Sequence, residues 1–444
     1  MAWERIANFI SGFFAALDER GVAYCVLRGY EGLPERPGRD IDIFIEDRAG
    51  IKDEVIGAVR GLGWDCIEKC SSEGFFTLAC CSLDGECAVS LQLDLWTKLL
   101  LRGVEWADCR EILSDTGVHN GIRVAAPGAE AAVTSVKEFM GGGSIKEKYR
   151  ERLRALAEAD GAKFAAVLSP VFGEKAGELR LLLAAGDLEG ANRLGRGFKK
   201  ALFKKRPFRY LGGSVRRVFE KLFAGRKKPG MLAAFVGPDG SGKTTIIEKQ
   251  KELLAPFFEN IAVYHMRYNI LPELKTGHGF SSMKGRVNSG TAEKKPVKRS
   301  LISKLASWFV VLYYTFEFML GNHLIRRAGR KNTLVLYDRY YYDHFIQPTT
   351  RELIFPFRKF LLALVAKPDI VIHLNADPEV VYARKQELSV REIAAQNEAI
   401  ARLVKGLPFA RTVETGTKTV DEIAKEVFAL TVETLGKKRE KGRK

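Results

Sequence analysis

Apolar positions along this chain follow three regimes. In the first, residues 6–17 carry apolar side chains at helical spacing, and 22–27 reads as a strand. Asp40-Ile41-Asp42-Ile43-Phe44-Ile45 alternates polar with apolar, as does 89–95, the period of a half-buried strand. Pro127-Gly128 interrupts that regime. The second favours helix, with predicted helices over 145–159 and 177–194 separated by glycines. Pro229-Gly230 closes it. The third begins at Met231 and sets short unbroken apolar runs between helical stretches: 231–236, 261–265, 333–337, 370–374 and 410–413. Such runs predict a five-stranded parallel sheet buried on both faces and flanked by helices. The resulting plan is an α+β domain over 1–126, a helical connector over 127–229, an α/β domain over 230–435 and a basic tail, 436–444, expected to be disordered.

Composition narrows this plan. With 46% hydrophobic and 10% aromatic residues among 444, the chain is globular rather than disordered. Its net charge of +17 favours anionic ligands without choosing among phosphorylated metabolites, nucleic acid and membrane. The start of the chain carries acid early and no apolar stretch with a cleavage site, so a cytoplasmic protein is expected. All seven cysteines lie in the first quarter without paired C-x2-C spacing, which predicts reduced thiols rather than zinc. The apolar run 305–320 is shorter than the ~20 residues of a membrane span and contains Glu317, so it predicts a buried core helix. Residues 275–300, rich in Gly, Ser and Lys, read as a loop. Residues 196–228 hold thirteen Lys/Arg, one acid and large apolar groups at helical spacing. Such a segment suits peripheral contact with an anionic membrane, or a linker helix whose aromatics pack on the 230–435 domain. Nucleic acid is disfavoured, because no base-reading motif accompanies the charge.

The chemistry is clearest at Gly237-Pro238-Asp239-Gly240-Ser241-Gly242-Lys243-Thr244, which fits G-x-x-x-x-G-K-[ST] between a predicted strand and a predicted helix over 245–254. Its glycines let backbone N–H groups wrap phosphate oxygens, and Thr245 continues the turn into the helix N-terminus. Lys243 is placed to reach the β- and γ-phosphates of ATP, and the Thr244 hydroxyl to ligate Mg²⁺. Asp338-Arg339 follows the third run, where a carboxylate faces the crevice of a parallel sheet. Asp338 suits Mg²⁺, and Arg339 an acceptor phosphate.

Together with Asp338-Arg339-Tyr340, Lys367-Pro368-Asp369 and the Arg384-Lys385 region, this motif resembles the thymidylate kinase-like branch of the P-loop kinases. The resemblance spans about residues 231–435. It implies that Asp239 and Tyr340 face the acceptor, that Arg267 after the second strand contacts its phosphate, and that lid residues Arg384 and Arg391 close over ATP. It also implies a homodimer, as in many relatives of this fold. The sequence departs from that family on the acceptor side. Tyr340-Tyr341-Tyr342-Asp343-His344 replaces small polar residues, and Tyr268-Asn269 stands where Glu-Pro is usual.

In the first domain, Asp40 and Asp42 fall on one face of a strand, and Asp94 offers a third carboxylate from a neighbour. Three convergent carboxylates suit a two-metal nucleotidyl transfer site. With Leu27-Arg28-Gly29 ahead of them, they resemble the nucleotidyltransferase superfamily, although the family's Gly-Ser is Gly29-Tyr30 here. The sequence therefore predicts an ATP- and Mg²⁺-dependent kinase acting on a small-molecule acceptor, either a nucleoside monophosphate or a sugar-type metabolite. Two alternatives stand: a bifunctional kinase/nucleotidyltransferase, and an ATP-binding regulatory protein with a degenerate nucleotidyltransferase module.

Overall fold

Alternation decides the first sheet. The structure, a computed structural model, describes residues 2–216, 230–272, 301–345, 357–386 and 388–443, and its contacts divide the chain into two units. The loop expected over 275–300 lies outside the described residues.

In the first unit, seven strands form one mixed sheet: β1 (Tyr24–Arg28), β2 (Asp40–Ile45), β3 (Asp65–Ser72), β4 (Phe75–Ser82), β5 (Val89–Trp96), β8 (Gly117–His119) and β9 (Ile122–Val124). Their order is β3-β4-β5-β2-β1-β9-β8, while β6 (Leu100–Leu101) and β7 (Val104–Glu105) make a separate ribbon. Successive residues serve opposite faces. Val26, Ile41, Ile43 and Leu93 pack with Phe9, Phe13 and Phe14 of α1 (Ala2–Glu19) and Val55 of α2 (Ile51–Gly61).

Cys25, Leu27 and Phe44 point the other way, into a core shared with the helices that follow. Those helices are α3 (Cys109–Leu113), α4 (Pro127–Gly141), α5 (Arg150–Ala159), α6 (Gly161–Phe172), α7 (Lys175–Ala184), α8 (Leu188–Gly195) and α9 (Phe198–Lys205). The stretch expected as a connector thus closes the second face of the sheet. The helix expected over 177–194 is two helices. Gly186 takes a φ of 71° between them, and the Asp187 carboxylate caps the second by accepting from Gly190 N–H at 2.8 Å. Phe198 and Leu202 of the basic aromatic segment are buried in this core, so they pack on the first unit rather than on the 230–435 domain. Phe208, by contrast, is exposed.

The second unit carries the parallel sheet expected from the apolar runs: β10 (Met231–Val236), β11 (Asn260–His265), β12 (Thr333–Asp338), β13 (Ile370–Asn375) and β14 (Ala410–Glu414). The order is β11-β12-β10-β13-β14, and every pairing is parallel. Its helices are α10 (Lys243–Leu254), α11 (Leu301–Arg330), α12 (Arg358–Leu364), α13 (Pro378–Arg384), α14 (Val390–Lys405) and α15 (Val420–Arg443). This mixed α/β arrangement is compatible with a P-loop kinase-like fold.

Two expectations need correction here. The apolar run 305–320 does not make a wholly buried helix. Val311, Tyr314 and Phe318 of α11 face the core, while Phe309, Leu312 and Phe316 are exposed on its other side. Among the described residues no helix is long and apolar enough to cross a membrane. The basic tail is not disordered through Arg443 but forms the last turns of α15. Lys438 pairs with Asp369 at 2.6 Å, and Arg439 donates to the Phe257 carbonyl at 2.9 Å.

Candidate active site at the ends of β10, β11 and β12

Three neighbouring strands of a parallel sheet must end side by side, and the turns that leave them carry the chemistry. After β10, residues 237–242 make a tight loop that α10 follows directly. Gly240 and Gly242 both take a φ of 88°, which a side chain would strain. A Cβ on Gly237 would lie 2.7 Å from Ser241 Oγ and 2.8 Å from the Leu374 carbonyl. Lys243 folds back over this loop and donates to the carbonyls of Gly237 at 2.9 Å and Pro238 at 2.7 Å. Burial pushes its amine below the usual lysine range, against the pull of Asp338 and Asp343. Thr244 and Thr245 are exposed at the start of α10, and Ser241 is buried with no partner for its hydroxyl.

β11 and β12 lie in register, so His265 is opposite Asp338. The Thr244 hydroxyl lies 3.4 Å from Asp338 Oδ2, and His265 Nδ1 is 3.1 Å from the same oxygen. The other oxygen of Asp338 is buried without a partner. An orphaned carboxylate oxygen beside a hydroxyl is a hard-oxygen donor set that fits Mg²⁺. Both strands then leave through left-handed backbone at non-glycine residues, Met266 (φ 58°) after β11 and Arg339 (φ 60°) after β12. Strain of this kind persists where surrounding contacts enforce it. Here Met266 N–H is held by the Asp338 carbonyl at 2.8 Å, and Arg339 N–H by that of Phe235 at 3.1 Å.

Arg339 reaches back to the glycine loop after β10. Its guanidinium pairs with Asp239 and, at 3.2 Å, with Asp343. Asp343 is buried, which pushes its carboxyl up, although Arg339 and Lys243 oppose the shift. Arg267, assigned by resemblance to an acceptor phosphate, instead bonds Glu317 Oε2 at 2.9 Å and the Leu271 carbonyl at 2.8 Å. Its guanidinium also lies over the Tyr314 ring, 4.8 Å from the centroid. Tyr340, expected at the acceptor, is buried in the core against Tyr337 and Phe318, with its hydroxyl donated to the Ala366 carbonyl. α13 packs on the glycine loop, placing Val381 and Lys385 3.3–3.4 Å from where a Gly240 Cβ would sit. Arg384 and Arg391 are exposed at the end of α13 and the start of α14.

The first unit brings Asp42 and Asp94 into register on adjacent parallel strands, with Asp40 exposed at the start of β2. Asp42 is held between Arg28 and Lys137, each at 2.9 Å, and Trp96 Nε1 at 3.3 Å. Asp94 accepts from Thr77 at 2.8 Å and Gln92 at 2.9 Å. Among the described residues no group of three His, Cys, Asp or Glu side chains could hold a metal ion. Cations already occupy Asp42, so these carboxylates as arranged do not fit the two-metal site expected of them.

Sequence reading missed Glu317 and His265 as parts of the second site. A lone acid within an apolar helix must find a cation when buried, and that rule pointed to a partner for Glu317. His265 had a weaker signal, its position at the end of a strand predicted to lie near the phosphate loop.

No protein-family model matches the chain, and neither does any curated protein. Solved structures do match. One is a thymidylate kinase from Candida albicans, 18% identical, covering 48% of this chain and 94% of that one with a TM-score of 0.32.

Proposed function

We propose that the second unit is a phosphotransferase that binds Mg-ATP on residues 237–245 and passes its γ-phosphoryl group to a small acceptor. The observation that carries this reading is the convergence of Lys243, Thr244 and Asp338 at the glycine loop, together with the Arg339–Asp239 pair on that same loop. A pure nucleotide switch has no need of the second group.

In this reading the loop N–H groups and the N-terminus of α10 cradle the phosphates. Lys243 exchanges its carbonyl partners for β- and γ-phosphate oxygens, and Arg384 and Arg391 close from the lid. Thr244 and Asp338 hold Mg²⁺, which neutralises charge on the phosphates when bound. His265 orients Asp338, and Arg339 fixes Asp239 toward the acceptor. Positioning and charge neutralisation supply most of the rate in such transfers.

ADP release from the purified chain, measured with and without a panel of small acceptors, tests the proposal. Release that rises with an acceptor supports transfer. Slow release indifferent to every acceptor contradicts it and favours an ATP-binding switch.

A further inference from the structure

Phosphoryl transfer by the second unit makes no use of the basic aromatic segment in the first. Residues 196–216 hold eight Lys/Arg and no Asp or Glu, and all eight cations are exposed. Arg216 pairs with Glu73 at 3.1 Å, and Lys205 donates to the Pro170 carbonyl. The other six have no hydrogen bond or ion pair among the described residues.

After α9 the chain forms a further helix over 207–216. Contacts within the first unit fix how it is turned. Tyr210 is buried, with the Arg102 guanidinium 4.8 Å from its ring centroid and the Phe203 ring edge-on at 5.7 Å. Ser214 Oγ accepts from Arg102 at 3.4 Å, and a Cβ on Gly213 would lie 2.0 Å from the Arg102 carbonyl. Positions 210, 213 and 214 therefore mark the inner face. At roughly 3.6 residues per turn, Phe208, Leu211 and Val215 share a face turned away from it. They are 89%, 53% and 56% exposed. Arg209 and Arg216 border this stripe.

An exposed apolar stripe bordered by free cations, with no acid in the segment, matches the headgroup layer of an anionic bilayer. The apolar side chains enter the acyl boundary while the cations reach lipid phosphates. A nucleic acid would engage the cations through its phosphates but offers nothing to Leu211 and Val215. A second copy of the same face would bring like charges together. We propose that this face docks the first unit on an anionic membrane surface, with the helix over 207–216 lying in the plane of the interface. The contact is independent of phosphoryl transfer by the second unit.

The test sediments the full chain with sucrose-loaded vesicles of phosphatidylcholine alone or of phosphatidylcholine mixed with phosphatidylglycerol. Recovery is expected with the anionic vesicles only, and it should fall as added salt screens the attraction. Recovery that ignores lipid charge, or no recovery at all, overturns the proposal. Phe208→Ser combined with Leu211→Ser separates insertion from attraction alone. Both side chains are exposed, so the fold, checked by circular dichroism, should be unchanged. The partition coefficient of this variant on anionic vesicles is expected to fall by at least about 10-fold. An unchanged coefficient shows that the cations act alone and overturns the proposal. Tighter binding to duplex DNA than to anionic vesicles at equal phosphate assigns the face to nucleic acid, and it too overturns the proposal.

Discussion

Thr244 and Asp338 are 94 residues apart in the chain, yet the Thr244 hydroxyl lies 3.4 Å from Asp338 Oδ2. The parallel pairing of β10 with β12 makes this unavoidable, because it sets the first turn of α10 beside the last residue of β12. If the pair serves a divalent cation, Asp338→Asn keeps the shape and removes the charge. Calorimetric titration of ATP with and without Mg²⁺ is expected to lose its Mg²⁺-dependent gain in affinity, and turnover should fall by roughly 10²-fold or more. An Asn variant with undiminished Mg²⁺ dependence would remove Asp338 from the metal site.

The Arg267–Glu317 pair makes a stability statement. Removing one partner of a buried pair leaves the other charge unpaired, so Glu317→Ala is expected to cost about 3–5 kcal/mol of the second unit's stability. The double change Arg267→Met with Glu317→Leu should recover most of that loss. Denaturant midpoints of the two variants measure the difference. Single and double variants of equal stability would show that the pair is not coupled.

Gly321 of α11 lies where a Cβ would come within 2.2 Å of the Tyr268 ring. Tyr268 immediately follows Arg267, so the close approach of helix and ring positions the turn after β11. Gly321→Ala is expected to cost about 1–3 kcal/mol through overpacking. It should also raise KM for the acceptor more than for ATP. Steady-state kinetics with each substrate varied checks the split, and a larger effect on ATP would contradict it.

Acid stability probes the first unit. Burial would raise the carboxyl of Asp42, but Lys137 and Arg28 outweigh burial and hold it below the usual carboxylate range. Its pairing therefore stabilises the fold above the unfolded-state value of about 3.9, and that stability is lost as pH falls through the lower folded value. Asp42→Asn is expected to flatten the pH dependence of the thermal midpoint between about pH 5 and 3, where an unfolded carboxylate titrates and the paired one does not. A wild-type acid limb unchanged in the variant would show that Asp42 does not drive it.

How far the sequence carried depended on whether a feature was local. The five apolar runs from Met231 onward became five parallel strands, but only β10, β12 and β13 are covered on both faces as expected; the edge strands β11 and β14 are largely half-buried or exposed. The Gly237–Thr244 loop was legible because its glycines, lysine and threonine are contiguous. The acceptor side was not. Whether Arg267 faces a ligand or a carboxylate depends on Glu317, fifty residues away on a helix whose rotation about its axis no local pattern fixes. The same limit applies at Asp42, whose partner Lys137 lies on α4, 95 residues on. Tyr340 failed differently. Its place beside Asp338-Arg339 suggested a ligand contact, but an aromatic ring next to a buried strand is drawn into the core.

Lys243 tests the central claim most directly. Lys243→Ala leaves the sheet and the glycine turns untouched, so its thermal midpoint should stay close to that of the wild type. ADP release from Mg-ATP by this variant, in the presence of an acceptor that stimulates the wild type, is expected to fall by roughly 10²–10³-fold. A folded Lys243→Ala protein that turns over ATP at the wild-type rate would contradict the assignment of phosphoryl transfer to this loop.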